Sequence, residues 1–203
     1  MNHSPEPRGL RERKKLKARR ELERVALELF QGKGFDRTTI REIADGADMS
    51  PRTFFRYFSS KEEVIFARSS DDIEALKASL RSRPASESPY ESVRHAFIDW
   101  ADRLQESKED IAARVRVTAG ARALRRRAAQ LREDVARVIA GELAERAPHS
   151  NRARYALVAS VCVETVTVAM VQWSGAEPDI PLRSLVRDCF DRLEQEIRAA
   201  TPV

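Results

Sequence analysis

From residue 18 onward apolar side chains return every three or four positions, at Leu22, Val25, Ala26, Leu29 and Phe30, with charged residues between them. That spacing gives a helix one apolar face, and the stretch Gly32-Lys33-Gly34 ends it. Thr39 followed by Glu42 is a capping-box pair, with Ile40, Ile43, Ala44 and Ala47 as the apolar positions of a short helix behind it. Ser50 then offers an N-cap and Pro51 a first-turn residue that has no N–H to leave unpaired, so another short helix starts there. Ser60 with Glu63 repeats the capping pattern and opens a longer helix that reaches about residue 80.

A break rich in Ser and Pro covers residues 81–91, and within it Ser88, Pro89 and Glu91 announce the next helix, which holds Val93, Phe97, Ile98, Trp100, Ala101 and Leu104. A short helix closes at Gly120, a long amphipathic one ends before Pro148, and residues 151–174 and 182–199 supply the last two. Residues 161–171, VCVETVTVAMV, have the β-branched alternation of a strand. No turn signal or second strand flanks them, and a lone strand would leave both edges unpaired, so a helix is expected. With apolar residues on nearly every face, that helix needs cover that a second subunit would supply. The expectation is therefore an all-α fold of about nine helices.

Charge adds a division to this picture. Residues 1–70 carry 16 Lys and Arg against 11 Asp and Glu, whereas the other 133 residues balance at 21 against 21. A basic N-terminal third on a neutral remainder points to a polyanion as partner of the first part only. Residues 1–16 are dense in charge and poor in apolar groups, and are expected to form a flexible basic arm. No apolar core of a secretory signal is visible there, and a cytoplasmic protein is expected. Between Tyr155 and Ala176 the one charged residue is Glu164, but Ser160, Thr165, Thr167 and Gln172 disfavour a membrane centre, so no membrane partner is expected. Cys162 and Cys189 stand in apolar surroundings without metal-ligand spacing. Neither metal nor cofactor is expected. No Ser/His/Asp, Cys/His or Gly-rich phosphate constellation suggests an enzyme.

Residues 39–58 read as a short helix, a tight turn and a second short helix, a helix-turn-helix whose second helix presents its first turn to base edges. In a helix from Pro51, Phe54 and Phe58 share the inward side, while Phe55 lies outward with Arg52 and Arg56. The stretch GFDRTTIREIADGADMSPRTFFRYFSSKEEV resembles the DNA-binding domain of the TetR family of bacterial transcription regulators. Thr39, Ile43 with Ala44, Ala47, Ser50, Tyr57, Phe58 and Lys61 meet the family pattern. Two positions depart from it: Asp48 stands at the family's turn glycine, and Phe55 at its phosphate-contacting tyrosine.

The resemblance implies a homodimeric regulator, usually a repressor, that binds a palindromic operator in double-stranded DNA and is released by a small molecule. It places a helix-turn-helix domain over residues 17–64 and a helical ligand-binding and dimerisation domain over residues 65–203. Thr39 and Ser50 would bond phosphates, Tyr57 and Lys61 would clamp the backbone, and Arg41, Arg52 and Thr53 would read bases. Pro51, Phe55 and Arg56 complete the DNA-facing set. An architectural DNA binder without an effector is the alternative.

The C-terminal part, with RVRVTAGARALRRRAAQLREDVARVIAGELAER, is similar to the branch that includes the mycofactocin-type regulators, which implies an acyl-CoA-like or other hydrophobic effector. Phe97, Trp100, Leu104, Ile111, Val115, Val163, Thr167, Met170 and Trp173 are the expected pocket residues, with His95 and Glu164 as polar candidates. Arg114, Arg116, Arg122 and Arg125 to Arg127 would meet the CoA phosphates. The dimer interface is expected on the last two helices, at Val158, Val161, Leu185, Phe190 and Leu193. Ligand entry would then change the separation of the two recognition helices.

Overall fold

The computed structural model describes residues 9–105, 108–146, 151–175 and 180–200, and among these every regular element is a helix. The chain divides into two compact units between Ala67 and Arg68. The first holds α1 (Leu10–Lys33), α2 (Ile40–Gly46), α3 (Pro51–Phe55) and α4 (Lys61–Ile65). The second holds α5 (Ser69–Ser82), α6 (Pro89–Leu104), α7 (Lys108–Gly120), α8 (Arg122–Arg146), α9 (Arg152–Gly175) and α10 (Leu182–Ala199).

Two boundaries differ from the sequence expectation. Helix α1 begins at Leu10, so residues 10–16, expected in a flexible arm, form its first two turns; the rest of that arm, residues 1–8, lies outside the described residues. The Arg, Lys, Leu and Glu residues of this stretch lose little rotamer freedom in a helix, which favours the helix from its start. The single helix expected from residue 61 to 80 is split, because α4 ends at Phe66 and Ser69 starts α5 with Asp71 and Asp72 in its first turn. That split makes the count ten among the described residues.

In the first unit Leu22, Val25, Ala26 and Phe30 of α1, Ile43 and Ala44 of α2, Phe54 of α3, Phe58, and Val64 and Ile65 of α4 are all buried. Full burial of each larger side chain contributes about 1.5–3 kcal/mol relative to exposure. The Arg19 guanidinium lies 5.4 Å from the Phe58 ring centre and donates to the Ala67 carbonyl at 2.8 Å, which ties the end of the unit back to α1.

In the second unit α9 is a continuous helix, which settles the strand-like stretch. Tyr155, Ala159, Cys162, Val166, Ala169 and Trp173 form its buried stripe, at alternating steps of four and three. Leu76 and Leu80, Val93, Phe97 and Ala101, Ile139 and Leu143, and Leu182, Val186 and Phe190 from the neighbouring helices complete one core. Polar groups lock its rim. Glu142, buried, takes two 2.7 Å hydrogen bonds from Arg81. Arg146 donates to the carbonyls of Leu80, Arg83 and Pro84 and to the Ser92 hydroxyl, at 2.8–3.2 Å. It thereby satisfies carbonyls at the end of α5 that no further helical turn would reach.

Candidate functional site

The first unit builds its exposed face from two capped helices and the turn between them. Thr39 closes both halves of the capping box with Glu42, the Glu42 backbone N–H donating to its hydroxyl at 3.2 Å and the Glu42 carboxylate accepting from its backbone N–H at 2.9 Å. The Lys33 ammonium, followed by these Thr39 bonds, holds the Glu42 carboxyl down at about 2. Helix α2 ends in a Schellman arrangement: the Asp48 N–H donates to the Asp45 carbonyl at 3.1 Å and the Met49 N–H to the Ala44 carbonyl at 2.9 Å. Asp48 carries the positive φ, 54°, that this closure demands and that the family's glycine would adopt without a Cβ penalty.

That turn delivers Ser50 as N-cap of α3, its hydroxyl accepting from the Thr53 N–H at 3.1 Å and lying 3.0 Å from the Thr53 hydroxyl. Phe54 and Phe58 are fully buried, their ring centres 5.6 Å apart, so they anchor the helix as its periodicity predicts. Pro51, Arg52, Phe55 and Arg56 are exposed on it, and Thr53 and Tyr57 are half-buried. The Arg56 guanidinium lies 5.0 Å from the Tyr57 ring centre and donates to its hydroxyl at 3.1 Å. Arg41, on α2, is 84% exposed and only loosely placed against Asp45 at 3.7 Å. No acidic partner of Arg52 is found among the described residues.

Lys61 is placed differently from the other candidates. Its ammonium donates to the carbonyls of Phe35 at 2.9 Å and Thr38 at 3.1 Å, approaches that of Asp36 at 3.5 Å, and sits 4.2 Å above the Phe35 ring. The side chain thus ties α4 to the α1–α2 loop, a task that a lysine three residues past the aromatic run does not reveal in sequence.

In the second unit eight of the nine expected pocket residues belong to one core: Phe97, Ile111, Val163 and Trp173 are buried, and Trp100, Leu104, Val115 and Met170 are partly buried against it. Thr167 turns its hydroxyl back onto the Val163 carbonyl at 2.8 Å. Trp100 reaches Asp72, whose carboxyl burial pushes up and the indole hydrogen bond partly restores. The Trp173 indole N–H donates to the Ile180 carbonyl at 3.1 Å. His95 and Glu164 lie elsewhere: His95 joins a surface group with Glu87 at 3.1 Å, and Glu164, 62% exposed, pairs with Arg132 at 2.9 Å. Of the arginines, Arg114 binds Asp110 at 3.2 Å and Arg116 the Ser174 carbonyl at 3.1 Å. Arg125 binds the Ala119 carbonyl at 2.7 Å and Arg127 Gln130 at 3.2 Å, while Arg122 and Arg126 are exposed at the start of α8. The Cys162 thiol, fully buried, is pushed up to about 12, which keeps it protonated and inert. Among the described residues no His, Cys, Asp and Glu side chains converge as a metal site would.

The expected dimer residues separate into two groups. Val158, Val161, Leu185 and Leu193 are partly exposed, whereas Phe190 is fully buried in the unit's own core with its ring centre 6.0 Å from that of Tyr90. Phe190 belongs with Leu182 and Val186, two turns and one turn earlier on the inward face of α10, and so does not reach the outer surface. The sequence reading missed Leu157, Val168 and Val171, which with Val161 form an apolar stripe left open along α9. Their steps of four, seven and three from Leu157 were legible as a second helical face, but the core stripe beside it masked them.

Residues 24–67 match the family model described as bacterial regulatory proteins, tetR family, and residues 87–198 match the MftR C-terminal domain. The HTH-type transcriptional regulator TcmR of Streptomyces glaucescens is 46% identical over 94 residues, which cover 46% of this chain and 42% of that protein. The match thus spans less than half the length of that relative. Thermus thermophilus FadR, a TetR-family transcriptional repressor solved in complex with lauroyl-CoA, is 24% identical with a TM-score of 0.56, over 85% of this chain and 91% of that one. A TetR transcriptional regulator from Rhodococcus sp. RHA1 is 20% identical with a TM-score of 0.54, over 88% and 96%. At these identities the two structures share the fold.

Proposed function

The chain belongs to the TetR family of bacterial regulatory proteins, and on that basis we propose that it is a cytoplasmic, homodimeric repressor that binds a palindromic operator and is released by a hydrophobic, acyl-CoA-like effector. The observation that carries the DNA half is α3: a short helix with a Ser50 cap, anchored by buried Phe54 and Phe58, that turns Arg52, Phe55 and Arg56 outward. Arg52 is the base reader, since a guanidinium with no acidic partner among the described residues is available to the acceptor pair of a guanine. Thr39, Ser50 and Tyr57 meet phosphates, and the exposed Arg13, Lys14, Lys15, Lys17 and Arg20 of α1 add attraction without sequence. Lys61, whose donors are occupied by loop carbonyls, supports the unit from within.

The open α9 stripe of Leu157, Val161, Val168 and Val171 supports pairing with a second copy, because only 33% of the apolar window of that 24-residue helix is buried within the unit. The same length and hydropathy would allow it to cross a bilayer, but its Tyr155-to-Trp173 stripe is part of a packed core. Similarity to the MftR C-terminal domain supports the effector class, as does the lauroyl-CoA bound by the Thermus FadR. The apolar side chains from Phe97 to Trp173 suit an acyl chain, and the exposed arginines at the α7–α8 corner suit its phosphates.

Fluorescence anisotropy on DNA from the region upstream of the chain's own gene and on a shuffled control, with and without long-chain acyl-CoA, tests both halves. Selective binding relieved by acyl-CoA is the expected result. Equal binding of both DNAs at two salt concentrations would refute autoregulation and favour an architectural role, and selective binding unmoved by acyl-CoA would refute the effector class alone.

A further inference from the structure

Phe55 is 56% exposed, the one large hydrophobic side chain so exposed among the described residues of the first unit. It stands between Arg52 and Arg56 on the outward face of α3, in a unit whose other exposed groups are mostly polar or charged. One edge of its ring is met by buried Phe54, ring centres 5.7 Å apart at 88°. The neighbouring cation does not cover it, because the Arg56 guanidinium lies over Tyr57 instead. The result is an apolar plate presented to solvent beside two arginines.

A phenyl ring can neither donate to a phosphate nor bond a base edge, so the hydroxyl role of the family's tyrosine is closed to it. In the major groove the single apolar feature of a base-pair edge is the C5-methyl group of thymine. The flanking arginines match a polyanion, which commits this surface to DNA rather than to an apolar protein partner. We infer that Phe55 is a specificity-determining residue that reads a thymine methyl group in each operator half-site. The inference rests on the regulator reading above and adds to it a base, a position and an atom. Arg52, one turn earlier at i−3, reads the neighbouring step, so a thymine and a guanine fall close together in each half-site.

The test starts by selecting bound duplexes from a randomised pool with the full-length protein, then replaces each selected thymine in turn with deoxyuridine, which removes only the methyl group. Anisotropy is expected to show one thymine per half-site whose replacement weakens binding about fourfold, and about fifteenfold when both symmetry-related positions are replaced, from the burial of one methyl-sized group. Phe55→Ala is expected to abolish that sensitivity, while Phe55→Tyr, which keeps the ring, retains it. If a defined sequence is selected but no deoxyuridine substitution weakens binding, the Phe55 inference falls and the regulator reading stands. If Phe55→Ala remains as sensitive as the parent, the methyl is read by another group and the inference again falls. If the selection yields no preferred sequence, the regulator reading falls and takes this one with it.

Discussion

Replacing Lys61 with Met separates support of the fold from contact with DNA. Met keeps the apolar stem and removes the ammonium, which donates at 2.9 and 3.1 Å to the Phe35 and Thr38 carbonyls and lies 4.2 Å over the Phe35 ring. A hydrogen bond from a charged donor contributes about 1.5–3 kcal/mol net. Lys61 is half-exposed, so water re-solvates part of what is lost and the net loss is about 1 kcal/mol for each bond. The ring contact adds about 0.5–1 kcal/mol. Lys61→Met is therefore expected to destabilise the α1–α2 loop by about 2–3 kcal/mol, which corresponds to a rise of roughly 30- to 150-fold in its opening equilibrium. Hydrogen exchange of the full-length protein reads this directly at the Thr38 amide, which donates to the Phe35 carbonyl at 3.2 Å. The slope of log affinity against log salt, by contrast, should not change. A lysine on a phosphate would lower that slope by about 0.9 per site, or about 1.8 for a dimer. Unchanged exchange together with a lowered slope would refute the loop role and return Lys61 to the DNA.

Asp48→Gly is expected to stabilise the protein by about 0.5–1 kcal/mol in urea unfolding, because glycine adopts φ near 54° without a Cβ clash, whereas Asp48→Val should destabilise it. Val168→Asp places a carboxylate in the open α9 stripe, 50% exposed in the isolated unit; sedimentation should show dimer dissociation strengthened at least about 100-fold with helicity unchanged, and an intact dimer would move the interface off this face. Acidification should weaken the fold. Lys33 and Arg83 hold the carboxyls of Glu42 and Glu87 at about 2, below the unfolded 4.5, so their contribution is complete above about pH 4.5 and is lost as pH falls through 2. Asp72, raised by burial, acts with the opposite sign, and unfolding midpoints of Glu87→Gln measured between pH 5 and 2.5 should fall less steeply than those of the parent.

Capping chemistry was the most legible part of the fold. Ser50, Ser60 and Ser88 each accept the hydrogen bond expected of an N-cap, and Thr39 and Ser88 close full capping boxes, because such bonds span three residues and need nothing distant. The inward pair Phe54 and Phe58 was legible for the same reason, from helical spacing alone. What depends on chain far away was not. Nothing near Lys61 names the carbonyls of residues 35–38, and Arg146 meets carbonyls more than sixty positions earlier. Phe190 and Val161 are both apolar residues on long helices, and only packing decides that one closes the core and the other stays at its edge. His95 and Glu164 read as pocket groups because a polar residue beside apolar neighbours on a helix has two possible sides, and each finds its partner on the outer one.

The clasp formed by Arg146, and the seating of Leu182, Val186 and Phe190 in the core, also order events during synthesis. The first unit closes with contacts that end at Ala67, so it can fold while most of the chain is still unmade. The second unit cannot. The end of α5 waits for Arg146, and α6 and α9 wait for α10, whose three core residues are fully buried. Such late, long-range closure is slow. The open stripe of α9 is also made late, so under the proposed function a chain cut short by stalled translation or proteolysis would carry a finished DNA-binding unit without the surface for pairing. On that proposal it would hold at most half an operator, too weakly to compete with complete molecules, which would insulate regulation from incomplete products.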